Sequence, residues 1–190
     1  MKTDIILAGV GGQGVLSIAA IIALAAVAEG LNVRQSEVHG MAQRGGAVLA
    51  HLRISDGEIP SDLVPRGEAD MIISMEPLES LRYAAWLSPK GTLVTAAEPF
   101  INIGNYPDIS AVLAAVKCFP SARTVEAAAI AKEAGLARAV NMVIVGAASA
   151  FLPIKPETLE STIAAQFAGK EGGITEANKK AFQSGRRSVQ

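Results

Sequence analysis

Four glycines in the six residues Gly9-Val10-Gly11-Gly12-Gln13-Gly14 form the segment of this chain best suited to chemistry. A glycine-rich turn between a buried strand and a helix presents bare backbone N–H groups, and the helix behind it adds positive potential. That arrangement suits a phosphate or another anion. A second segment, His39-Gly40-Met41-Ala42-Gln43-Arg44-Gly45-Gly46, complements it. Gly40, Gly45 and Gly46 leave its backbone free to turn, while His39, Gln43 and Arg44 supply polar contacts.

Two chemistries are open to the first turn. Gly9, Gly11 and Gly14 fit the G-x-G-x-x-G dinucleotide fingerprint, and Glu37 stands where a ribose-binding acid would end the second strand. Such glycines also serve simply to permit a tight turn and close helix–strand contact. No Gly-Lys-Ser/Thr follows, which excludes a P-loop. The chain beyond Glu37 departs from a dinucleotide fold, because no crossover helix begins there and the sequence runs through the second glycine segment straight into a strand. That segment is either a solvated surface loop or one that meets the first turn at the C-terminal edge of the sheet, where α/β folds place their sites.

The elements that must position these loops follow from periodicity. Asp4–Gly9 reads as a central strand without alternation, Gln13–Glu29 as a helix apolar on nearly every face and therefore covered, and Leu31–Glu37 as a strand parallel to the first. Gly30 suits the helix C-terminus. Ala47–Ser55 alternates as a strand, and Asp56-Gly57 predicts a hairpin whose return begins at Glu58-Ile59. Met71–Met75 is a buried strand, Pro77 to about Trp86 a helix, and Pro89-Lys90-Gly91 a turn into a strand at 92–96. Helices follow at 108–117, 126–134, 139–152, 157–168 and 176–183, with a short strand near Arg123–Val125. The expected fold is one α/β domain over residues 1–190: a three-layer α/β/α arrangement with a mostly parallel, mixed sheet, a hairpin and C-terminal helices.

Composition narrows the function. The 190 residues are half hydrophobic but only 4% aromatic, so Ala, Val, Ile and Leu build the core. A net charge of −1 gives no bulk attraction to nucleic acid or to anionic lipid. Arg186-Arg187 and Lys179-Lys180 read as a solvated terminal helix, with no aromatic residues interleaved for nucleic acid. The glycines and Asp4 interrupt the N-terminal apolar stretch, so neither a signal peptide nor the ~20-residue span of a bilayer is expected, and the reading is a cytoplasmic protein. Cys118 is the single cysteine, leaving no internal disulfide and no thiolate set for zinc or iron–sulfur. His51, on a strand beside Arg53, reads as a packed or interface residue more than as a general base.

G-V-G-G-Q-G-V followed by S-E-V-H-G-M-A-Q-R-G-G resembles the small, gamma-type subunits of the 2-oxoacid:ferredoxin oxidoreductases, and among them the beta subunits of the indolepyruvate ferredoxin oxidoreductases. Ser55–Ile59, Ala69-Asp70, Met75-Glu76-Pro77 and Asn141 through Gly146 extend the similarity along the chain. The resemblance implies oxidative decarboxylation of a 2-oxoacid with coenzyme A, giving acyl-CoA, carbon dioxide and reduced ferredoxin. It implies thiamine diphosphate and iron–sulfur clusters on a larger, alpha-type partner subunit, because this chain has neither a G-D-G…N-N pattern nor four cysteines. The chain itself would bind no cofactor, contribute no catalytic residue and be inactive alone. It would turn Gly9, Gly11, Gly12, Gln13, Gly14, His39, Gly40, Gln43, Arg44, Gly45 and Gly46 toward CoA, the 2-oxoacid or the partner. A free-standing NAD(P)- or flavin-binding oxidoreductase and a non-enzymatic interaction module are the competing readings.

Overall fold

Strand β1 (Lys2–Val10) sits inside the sheet, with Ile5, Ile6, Leu7 and Ala8 wholly buried. Both faces are covered, which is why its sequence shows no alternation. The computed structural model describes residues 1–40, 44–101 and 103–190, with the side chain of His39 also outside the described atoms. β1 is followed by α1 (Val15–Ala28), β2 (Asn32–His39), β3 (Ala47–Ser55), β4 (Ala69–Ser74) and α2 (Pro77–Arg82). A single 3-10 turn (Ala84–Trp86) leads to β5 (Leu87–Ala96), α3 (Ile109–Lys117), β6 (Ala122–Val125) and α4 (Ala127–Glu133). Helices α5 (Val140–Ala148), α6 (Pro156–Gln166) and α7 (Ile174–Arg187) complete the chain.

The sheet order is β2-β3-β1-β4-β5-β6. β1, β4, β5 and β6 are parallel, while β3 runs antiparallel to both β1 and β2. The main core lies between one sheet face and α1, α4, α5, α6 and α7. A smaller core, built on Ile6, Ile72 and Leu93, lies on the other face with Val116 of α3 and Val64 over it. The expected α/β/α layering and mixed sheet are therefore present.

Three local expectations are corrected. β2 does not pair with β1, because β3 is inserted between them and pairs with both. The hairpin is β2–β3, closed by the second glycine segment, and Asp56-Gly57 makes no return strand. Asp56 instead takes the N-terminal ammonium at 2.6 Å, and the chain crosses the second sheet face, where the buried Arg53 guanidinium donates to the carbonyls of Ser61 and Leu63 at 3.1 and 3.0 Å. Those bonds capture residues that would otherwise pair as a strand. Finally, Pro89-Lys90-Gly91 lies within β5. Ala69 pairs with Leu87 and Met71 with Thr92, so Ser88–Gly91 bulge opposite Asp70 alone, which removes the need for a proline N–H in the ladder.

α1 ends where the sequence places its stop. Gly30, at φ +79°, donates to Val27 at 2.9 Å, and Leu31 donates to Ala26 at 3.0 Å, a paired closure that satisfies two late carbonyls. The helix was expected to be covered on nearly every side, yet Leu24 and Val27 face solvent. α5 and α7 cross at two glycines: a Cβ on Gly146 would run into the backbone of Phe182, and one on Gly185 into that of Val143.

Candidate functional site

The parallel strands end on one edge of the sheet, and so do β2 and the start of β3. Both glycine segments therefore emerge there. They are bonded to each other: the N–H of Gly11 donates to the carbonyl of Gly46 at 2.8 Å, and the N–H of Gly45 donates to the carbonyl of Gly11 at 3.1 Å. At this contact Gly45 takes φ +74°, a conformation that favours glycine whatever the space around it.

Within the first turn the glycines have different tasks. Gly12 has φ +100° with no atom within 4 Å of a would-be Cβ, so its conformation alone selects glycine. A Cβ on Gly9 would lie 2.7 Å from Cγ2 of Val15, which makes Gly9 the point where helix packs on strand. Gly14, at φ +84°, is the N-cap of α1, with no side-chain cap and no acidic residue in the first helical turn. The positive end of a 14-residue helix thus opens into the site. Gln13 fastens the turn: its Oε1 accepts from the N–H of Val10 at 2.8 Å, and its Nε2 donates to the carbonyl of Met75 at 3.2 Å. Both of its polar atoms are engaged within the fold, so its contribution is to shape the turn.

A cleft of about 380 Å³ lies between the segments. Gly11, Gly12, Gly14 and Ser17 form one wall, Gly40, Arg44 and Gly46 the other, with Val10, Val15, Leu16 and Val48 between. Its chemistry is an apolar floor under bare N–H groups and one exposed guanidinium, which fits a ligand with an anionic head and an apolar body. Ser17 and Leu16 were missed in the sequence, though they occupy the first turn of α1. Asn141, beside Gly14, was also missed as a support: a Cβ on Gly14 would come within 2.9 Å of its Nδ2. Of the expected residues, Gly11, Gly12, Gly14, Gly40, Arg44 and Gly46 line the cleft, Gly45 lies in its hinge, and Gly9 and Gln13 lie behind it. His39 ends β2 opposite Val48, while its side chain and Gln43 are outside the described residues.

The topology weakens the dinucleotide reading. Glu37 lies on β2, two strand spacings from β1 and so roughly 10 Å across the sheet, where a ribose-binding acid belongs on the adjacent strand. His51 is a packed residue, with its Nδ1 accepting from the N–H of Val64 at 3.1 Å and its ring edge-on to Trp86. Burial first, and Arg53 second, lower its pKa. Among the described residues no group of three His, Cys, Asp or Glu could hold a metal ion. None of their helices is long and apolar enough to cross a membrane.

The family described as pyruvate ferredoxin/flavodoxin oxidoreductase matches residues 4–188. The chain belongs to this family. Indolepyruvate oxidoreductase subunit IorB from Archaeoglobus fulgidus is 40% identical over 195 residues, covering 97% of this chain and 94% of that one. The gamma subunit of a keto/oxoacid ferredoxin oxidoreductase from Geobacter sulfurreducens has the same fold, with a TM-score of 0.74 and 25% identity over 100% of this chain and 97% of its own. So does 2-oxoglutarate:ferredoxin oxidoreductase from Magnetococcus marinus, whose structure holds 2-oxoglutarate, coenzyme A and succinyl-CoA. Its TM-score is 0.77 at 22% identity, and the match covers 99% of this chain but 31% of that longer one. Homologues of this chain are subunits of 2-oxoacid:ferredoxin oxidoreductases, and the chain is accordingly part of an oxidoreductase rather than a free-standing one.

Proposed function

We propose that this chain is the non-cofactor subunit of an indolepyruvate, or aryl-pyruvate, ferredoxin oxidoreductase. The complete enzyme would convert RCOCOO⁻, CoA-SH and two oxidised ferredoxins to the acyl-CoA thioester, carbon dioxide, one proton and two reduced ferredoxins. The carboxylate leaves as carbon dioxide, and the electron pair left on the acyl carbon passes to the ferredoxins as sulfur bonds to that carbon. Thiamine diphosphate would supply the carbanion chemistry and iron–sulfur clusters the electron path. Cys118 is the single thiol, which does not fit a cluster, and no G-D-G…N-N pattern is present for thiamine diphosphate, so both belong to a larger partner subunit in this reading.

The observation that carries it is the bonded pair of glycine segments with the cleft between them. Gly12 and Gly14 offer backbone N–H groups at the N-terminus of α1, and Arg44 offers a charge to the same space. They would hold a phosphate of CoA, or the carboxylate of the 2-oxoacid, against the partner's reacting centre. The indolepyruvate assignment draws on the name of the 40%-identical relative.

The test is co-purification with the larger subunit, followed by assay with indolepyruvate, phenylpyruvate, pyruvate and 2-oxoglutarate. Arg44→Ala in that complex is expected to raise the KM for CoA about tenfold with a smaller change in kcat, as for one lost charge-assisted bond. An unchanged KM for both CoA and the 2-oxoacid would refute the role of the cleft.

A further inference from the structure

On the same edge, residues 97–101 and 103–108, between β5 and α3, form a rigid base with an apolar tip. Four sets of bonds hold the base. Ala97 donates to the carbonyl of Val125 at 2.8 Å, and the Glu98 carboxylate accepts from Ala127 and Ala128 at 3.2 and 2.7 Å, closing the N-terminus of α4. Glu76, 1% exposed, accepts from the N–H of Phe100 at 3.4 Å and from the hydroxyl of Tyr106. Asp108 caps α3 through the N–H of Ala111 at 3.1 Å. Burial and the Glu76 carboxylate push the Tyr106 hydroxyl well above its ordinary pKa, so it stays a donor at all physiological pH values.

The tip gives that rigidity no return within the chain. Phe100, Ile101 and Ile103 are 42%, 70% and 41% exposed, three large apolar side chains within four positions. A clustered apolar surface held in place by polar bonds marks a contact site. It is tied through the interior to the glycine turn, because Gln13 bonds to the carbonyl of Met75 and the next residue, Glu76, holds the loop.

We infer that Phe100, Ile101 and Ile103 dock into an apolar groove on the partner subunit, seating the glycine cleft against that subunit's reacting centre. This rests on the proposed subunit role. Charge selects the occupant. The nine residues between Glu98 and Asp108 carry no charge, and the flanking carboxylates would be repelled by an anionic bilayer. A two-fold contact between copies would bring the same carboxylates toward one another, which disfavours a second copy of this chain.

The experiment uses the whole complex, captured through a tag on the partner subunit, with wild type, Ile101→Glu, Ile103→Glu and, as a matched control, Leu24→Glu on the exposed side of α1. Circular dichroism of each chain verifies folding. Loss of one buried isoleucine predicts a ten- to hundredfold weaker association, roughly, for each loop variant and no more than a twofold change for the control. Equal capture of wild type and both loop variants overturns this inference and leaves the subunit role standing. A wild-type chain that captures no partner overturns the subunit role, and the inference with it. A wild-type homodimer that Ile101→Glu converts to monomer overturns the choice of occupant.

Discussion

Replacing Gly185 in α7 with alanine sets two effects of opposite sign against each other. In an isolated helix Gly→Ala is stabilising by about 1 kcal/mol, because alanine loses less backbone entropy on folding. Here the new Cβ would lie 2.8 Å from the carbonyl carbon and 2.9 Å from the Cα of Val143, with the carbonyl oxygen closer still. Ordinary contact begins near 3.4 Å, so the two helices must part by 0.6 Å to clear the carbonyl carbon and by more to clear the oxygen. The obstacle is backbone on both sides, and no side chain can rotate away. Parting them loosens Ala181 and Phe182, both buried against α5. Overpacking of this kind costs roughly 1–3 kcal/mol, occasionally more. Lost contacts around Phe182 add roughly 1–2 kcal/mol, and the propensity gain offsets about 1, leaving a net destabilisation of about 1–4 kcal/mol. For a chain of this size the thermal midpoint should fall by roughly 2–15 °C. Gly146→Ala should behave alike, since its Cβ meets the carbonyl carbon of Phe182 at 2.8 Å and the nitrogen of Arg186 at 3.0 Å. The double variant should cost less than the sum, because one separation relieves both clashes. Urea unfolding of the three variants reads these values directly. A midpoint raised in either single variant would refute the close crossing.

Two further outcomes follow from the second sheet face. Asp4→Ala should destabilise the chain by about 3–5 kcal/mol in urea unfolding, because it strands the buried Arg53 guanidinium that Asp4 holds at 2.7 and 2.9 Å, and a cost below about 1 kcal/mol would show that the pair is dispensable. His51 has a folded pKa below its unfolded value near 6.5, so its contribution is complete above that pH and lost as the pH falls through the folded value. Thermal midpoints at pH 7.5, 6.0 and 5.0 should therefore fall more steeply for wild type than for His51→Gln, and parallel slopes would contradict this.

The legible parts of the fold were those whose signals are local. Apolar β1, its glycine turn and α1 are contiguous, and each boundary is set by a residue's own conformational range, as at Gly14 and Gly30. Asp108 declared α3 in the same way, by bonding Ala111 three residues on. Signals failed where a distant group decided. Asp56-Gly57 has the composition of a hairpin, but Arg53 binds the carbonyls that a return strand would have used. Nothing near Leu31–Glu37 states that β3 will enter beside β1. In the site, the glycines were identified by type, whereas Asn141 carries no local mark of its nearness to Gly14.

By itself the sequence determined that two glycine segments exist, that a helix N-terminus follows the first, and that no thiolate set for a redox cluster is available in this chain. Those follow from residue type and short spacing, which act without regard to the rest of the molecule. Only the tertiary structure decided that the segments share two backbone bonds, that Gln13 ties the turn to Met75 just past β4, and that Phe100, Ile101 and Ile103 stand on the same rim. Such contacts join residues dozens of positions apart: β3 reverses between β2 and β1 and carries the second segment back to the end of the first strand, while the parallel pairing of β1, β4 and β5 brings Met75 and the Phe100 loop to the same edge.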